Sequence, residues 1–143
     1  MVLYIFAVIS IIAGAIFIQQ GITKYILIKQ LATTERVTIG LSEEQIKSGE
    51  SVDSLRRMQT AGDIIRSHRQ KIAQTYGELL GDGRFDPTNP KHLLYSQAIN
   101  LENYLYLGVL SFGTIYLMMG IGAFIILMGI SLIFIGSALR RIP

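Results

Sequence analysis

Two uncharged apolar runs stand near opposite ends of this chain and decide most of what it can fold into. The first, Val2 to Ile18, reads VLYIFAVISIIAGAIFI, and the second extends from Leu105 to Leu139. Seventeen such residues reach the short limit for a helix that crosses a bilayer. The pattern resumes after Gln19 and Gln20 with GITKYILI, so the first helix is expected to continue to about Ile28. Lys24 can snorkel toward headgroups there, and Tyr25 suits an interface. The second run is 35 residues, roughly 52 Å as a helix against a hydrocarbon layer of about 30 Å. It therefore starts in water, crosses the interface near Tyr104 and Tyr106, and then spans. Ala13-Gly14-Ala15 resembles a signal-peptide cleavage site, but no basic segment precedes the apolar run, so a retained anchor is expected.

Charge follows the same partition. Only 16% of residues are charged, below the roughly 25% of a soluble domain. Every Asp and Glu lies between Glu35 and Glu102, and only Lys24, Lys29, Arg140 and Arg141 among the basic residues lie outside that stretch. The chain is a polar insert between two apolar ends. The absence of cysteine excludes disulfides, thiolate catalysis and Cys-ligated metal centres. A net charge of +3, scattered and without a recognition motif, gives no nucleic-acid reading.

Within the insert, residues 30–50 read as mixed loop and short helix. Ser42 followed by Glu43, Glu44 and Gln45 fits a capping box, and Gly49 ends that turn. From about residue 53 to 80, Leu55, Met58, Ile65, Ile72, Tyr76 and Leu79 recur at helical spacing. The opposite face carries Arg56, Arg57, Arg66, Arg69 and Lys71 and is expected to be solvated. GDGRFDPTNP then makes a turn over 81–89, and Asn89-Pro90 opens the next helix as N-cap and first helical residue. That helix runs without a break into the second span.

The predicted architecture is an all-α integral membrane protein with two transmembrane helices in an antiparallel hairpin. The first occupies 1–28, a mostly helical extramembrane domain 29–103, the second 104–139, and a short basic tail 140–143. Lys24, Lys29, Arg36 and Lys91 flank the domain side against Arg140 and Arg141 on the terminal side. The positive-inside rule then puts the middle domain in the cytoplasm.

Gly122, Gly129 and Gly136 recur every seven residues in the second span, and Ala7, Gly14 and Gly21 do so in the first. Glycine disfavours a helix interior by about 1 kcal/mol relative to alanine, so the repetition asks for a reason. Seven residues are two turns of a left-handed crossing, and small residues on that period keep one face flat. In lipid, apolar burial does not drive helices together, and close backbone approach takes its place. The two triplets are therefore read as a helix-packing seam. The preferred register is flush, with Ala7 opposite Gly136, Gly14 opposite Gly129 and Gly21 opposite Gly122. Slipping by one heptad opposes Ala7 with Gly129 and Gly14 with Gly122. Gly113 and Gly120 fall on another face and mark a possible partner surface.

Other chemistry is sparse. His68 and His92 both lie outside the spans, so no haem or other cofactor is expected between the helices, and no metal site is assigned. GDGRFD lacks the ligand spacing of a calcium loop. Glu102 is a carboxylate at the interface rather than at membrane depth, where it would be a functional suspect. Gln20 and Lys24 share a face and mark an interface. No nucleophile is supplied with a base, so no catalytic residue is named and no enzyme is expected. The function read from this pattern is a non-catalytic accessory, structural or assembly subunit of a larger membrane complex. Its partners would be membrane lipid and other integral membrane subunits. The alternatives are a self-assembling homo-oligomer of pore or holin type, using the same glycines between copies, and a membrane-anchored sensor domain.

Overall fold

The computed structural model describes residues 1–140; residues 141–143 of the expected basic tail, Arg141 among them, lie outside these. Within the described residues five helices follow one another: α1 (Val2–Glu35), α2 (Glu43–Lys47), α3 (Leu55–Ile72), α4 (Tyr76–Leu80) and α5 (Pro90–Leu139). No strand occurs among the described residues. Two of the helices, α1 with 34 residues and α5 with 50, are long and apolar enough to cross a membrane.

The described residues divide into two compact units, one of residues 1–27 with 113–140 and one of residues 28–112. Both α1 and α5 contribute to each. On α5 the division falls at 112/113, inside the apolar run. Side-chain contacts account for its place. Leu105 and Phe112 are fully buried, Gly108 lies against the Met58 side chain, and the Tyr106 hydroxyl donates to Asp63 Oδ1 at 2.6 Å. The start of the apolar run thus serves as core for the 28–112 unit.

α1 does not stop near Ile28. The segment Lys29–Glu35 contains neither glycine nor proline, and the hydroxyls of Thr33 and Thr34 donate back to the carbonyls of Lys29 and Gln30. The helix ends where Arg36 turns into the left-handed region, with φ 49°. α2 opens on the Ser42 capping box: Gln45 N donates to Ser42 Oγ and Ser42 N donates to Gln45 Oε1. Gly49, at φ +79°, follows it.

The single helix expected over 53–80 is two helices. Ala73 is extended, with φ −158° and ψ 142°, and Thr75 begins again as N-cap, its Oγ1 accepting from Glu78 N at 3.1 Å. The Glu78 carboxylate in turn accepts from Gln74 N at 2.9 Å. Thr75-x-x-Glu78 is a capping signature inside an otherwise helical pattern, and local hydrogen bonding there prevails over apolar periodicity. The break lets Leu79 and Ala73 bury against Tyr95 of α5, with Ile72 and Ile99 packed beside them. α5 starts at Pro90, with Asn89 Oδ1 accepting from Lys91 N at 2.9 Å.

Candidate functional site

In the unit of residues 1–27 and 113–140, α1 and α5 touch through their smallest residues. A Cβ built on Gly14 would stand 2.5 Å from the Gly122 carbonyl oxygen, and one built on Gly122 would stand 2.8 Å from the Gly14 carbonyl oxygen. One built on Gly129 would stand 2.8 Å from the Ala7 carbonyl oxygen. All three distances are shorter than real Cβ contacts, so only glycine allows the backbones to lie this close. Such spacing brings Cα–H groups within reach of facing carbonyls. Ala7, Gly14, Gly21, Gly122, Gly129 and Gly136 are all buried.

These contacts are those of the slipped register. Gly136 lies against Tyr4 and Leu3, and Gly21 against Met119 and Ile115, not against the partners expected for them. The flush register is therefore corrected by one heptad. Its weakness lies in the unequal lengths of the two apolar runs: it leaves the beginning of the α5 run without a facing residue on α1. Toward the Gly113 end of this unit, Tyr25 lies beside Tyr116, ring centroids 6.3 Å apart. At the other end, Tyr4 Oη lies 3.1 Å from Ser137 Oγ, and the Arg140 guanidinium sits 4.9 Å from the Tyr4 ring centroid.

Gly113 and Gly120 differ from the seam glycines. A Cβ at either would meet nothing within 4 Å. Leu117, Phe124, Leu127 and Phe134 of the same helix are more than 60% exposed.

The unit of residues 28–112 holds a second construction, of opposite chemistry. Glu102 of α5 is buried, its side chain 7% exposed. It accepts from Arg66 Nε at 3.0 Å and from Arg69 Nε at 2.7 Å, both on α3. Arg69 Nη1 also donates to Tyr95 Oη at 2.6 Å. Both guanidinium groups lie over tyrosine rings, Arg66 at 4.7 Å from Tyr106 and Arg69 at 5.1 Å from Tyr95. Burial pushes the Glu102 carboxyl up, but hydrogen bonds from Arg69 and Arg66 outweigh it and hold the carboxyl below its ordinary value. The same bonds to Glu102 raise both arginines. Arg69 is only 11% exposed, so the basic face of this helix is not a uniformly solvated one. Arg57, on the same helix, pairs with Glu50 and with Asp53.

The spacing that carries the Glu102 cluster is local on each helix. Arg66 and Arg69 are three apart, and Tyr95, Glu102 and Tyr106 fall on one face of α5. What no local pattern supplies is the pairing between them, across 33 and 36 residues. His68 is exposed, while His92 stacks on Phe85. Among the described residues, no three His, Asp or Glu side chains gather as a metal-ligand set. No known protein family, curated protein or solved structure matches this chain.

Proposed function

We propose that this chain is a non-catalytic subunit of a larger membrane protein complex, with a structural or assembly role. In this reading α1 and α5 form a two-span antiparallel hairpin closed by the Gly14–Gly122 and Ala7–Gly129 contacts. The polar helical unit stands outside the bilayer, on the cytoplasmic side by the positive-inside rule.

Burial supports the membrane assignment. Only 11% of the most apolar stretch of either helix is buried, whereas a core helix of a soluble protein is mostly covered. Aromatic placement agrees with it. From Tyr4 to Tyr25 the helix rises about 32 Å, close to the hydrocarbon thickness of about 30 Å, and each tyrosine has an aromatic or cationic neighbour at its end.

The observation that carries the subunit reading is the contrast between two glycine sets on one helix. Gly122 and Gly129 are consumed by close packing on α1, and Gly113 and Gly120 are left open beside large exposed apolar side chains. The use of small residues in lipid is to let a neighbouring helix approach. Single cysteines introduced at Gly113 or Gly120 test this, since the chain has no other cysteine. Crosslinks in native membranes to a different integral membrane protein are expected. Crosslinks only between copies favour the homo-oligomer, and a lone monomer with no adduct contradicts both.

A further inference from the structure

A histidine in the first turn of α5 reaches back to the turn between α4 and α5. Asp86 N–H donates to His92 Nδ1 at 3.0 Å, and the His92 ring stacks on Phe85 with centroids 5.7 Å apart and planes at 27°. An imidazole nitrogen that accepts an N–H carries no proton, so this contact requires neutral His92 with its proton on Nε2. Histidine is the side chain that changes charge between pH 5 and 8. We infer that the 81–89 turn is a pH-sensitive latch on the start of α5, fastened when His92 is neutral and released when it is protonated.

Protonation at Nδ1 replaces an acceptor by a donor that faces another donor, the Asp86 amide. It also places a cation in the first turn of α5, next to Lys91, where the helix dipole disfavours positive charge. One group opposes release: the Asp86 carboxylate, which faces the ring from the turn and attracts an imidazolium. That carboxylate is already engaged. Its Oδ1 accepts from Thr88 N at 2.8 Å and from Thr88 Oγ1 at 2.7 Å. These bonds, the hydroxyl's first, hold it below the usual carboxylate range, so it stays charged while histidine titrates. Being exposed, its attraction for the ring is screened by water. The other charged residues of the turn, Asp82 and Arg84, are also exposed. Two losses therefore stand against one screened gain.

The test is proton NMR of the full chain, ¹⁵N-labelled, in phosphocholine micelles between pH 7.5 and 5. The Asp86 amide shift is expected to follow the titration of the His92 ring nitrogens. Its hydrogen-exchange protection, corrected for the intrinsic pH dependence of exchange, should fall about tenfold across that titration, the loss of one ordinary hydrogen bond. In His92→Gln the pH dependence should vanish. Should that variant fail to fold, the ring's own Nδ1 shift in the unsubstituted chain reports whether Nδ1 gains its proton as the amide loses protection. An Asp86 amide that ignores pH overturns the inference. So does one that becomes better protected on acidification, because the ion pair would then have prevailed.

Discussion

α5 is held in two ways along its length, and the two regions use opposite chemistry. Between residues 113 and 140 it meets α1 through glycine, with backbone against backbone. Between residues 90 and 112 it meets α3 through a buried carboxylate, two guanidinium groups and two tyrosine rings. In the proposed reading the second arrangement stands in water. Apolar burial around Met58, Ala61 and Leu105 drives association there, and the ion cluster then selects one alignment of α3 on α5. The first fits the membrane reading proposed above: in lipid, apolar burial does not drive helices together, so contact must come from closeness, and closeness requires the absence of a side chain.

The largest expected effect is on the charged side of this comparison. Glu102→Ala leaves two cations facing each other with Arg69 largely buried. Removal of one partner of a buried pair costs about 3–5 kcal/mol, and the half-exposed Arg66 keeps the expectation at about 3 kcal/mol. Chemical unfolding in micelles followed by tyrosine near-ultraviolet circular dichroism should read this, with the 113–140 region unaffected. Equal loss of order in α1 would mean the two regions are one cooperative element.

Acid acts on the same bond more gently. The folded carboxyl of Glu102 lies below its unfolded value, so its contribution is fully present above the unfolded value and is lost as pH falls through the folded one. Protection of α3 amides should begin to weaken below about pH 4, and amides of α1 around Gly14 should not follow. Parallel loss in both would contradict the division.

Smaller still is the effect of crowding at the edge of the ion cluster. A Cβ on Gly62 would stand 3.2 Å from two atoms of the Tyr106 ring. Gly62→Ala should cost about 1 kcal/mol or less once alanine's helical preference of about 1 kcal/mol is counted. The Tyr106–Asp63 hydrogen bond is the readout, through the hydroxyl's exchange rate. Clear stabilisation would show that Tyr106 is not pinned where it stands.

Periodicity makes one of these regions legible and leaves the other hidden. Seven-residue spacing in both apolar helices marks the seam residues, because a residue that disfavours the helix and yet recurs on one face needs a close neighbour to account for it. It does not set the register: Ala7 finds Gly129 rather than Gly136, and the choice depends on side chains off the seam, such as Met119 over Gly21. Arg66 and Arg69 read as solvated because their partner is more than thirty residues away and lone acids near an apolar run have several explanations. The break at Ala73 is hidden differently. Thr75 and Glu78 carry a capping signature, but it lies within an apolar repeat that continues through Tyr76 and Leu79. The capping box at Ser42, with no such repeat around it, is plain.

One pair of substitutions bears most directly on the claim that α5 has a closed glycine face and an open one. Gly122→Ala and Gly120→Ala change the same residue type in the same helix, two positions apart. At Gly122 the added methyl meets the Gly14 carbonyl and the Ile18 and Phe17 side chains at 2.8–3.0 Å, and the separation it forces should cost about 1–2 kcal/mol net. At Gly120 it meets nothing within 4 Å, so the isolated chain should be unchanged or stabilised by up to about 1 kcal/mol. Thermal unfolding of the purified monomer in detergent compares them side by side. A lower midpoint for Gly122→Ala with an equal or higher one for Gly120→Ala is the predicted result. Equal losses at both positions, or a greater loss at Gly120, would contradict it.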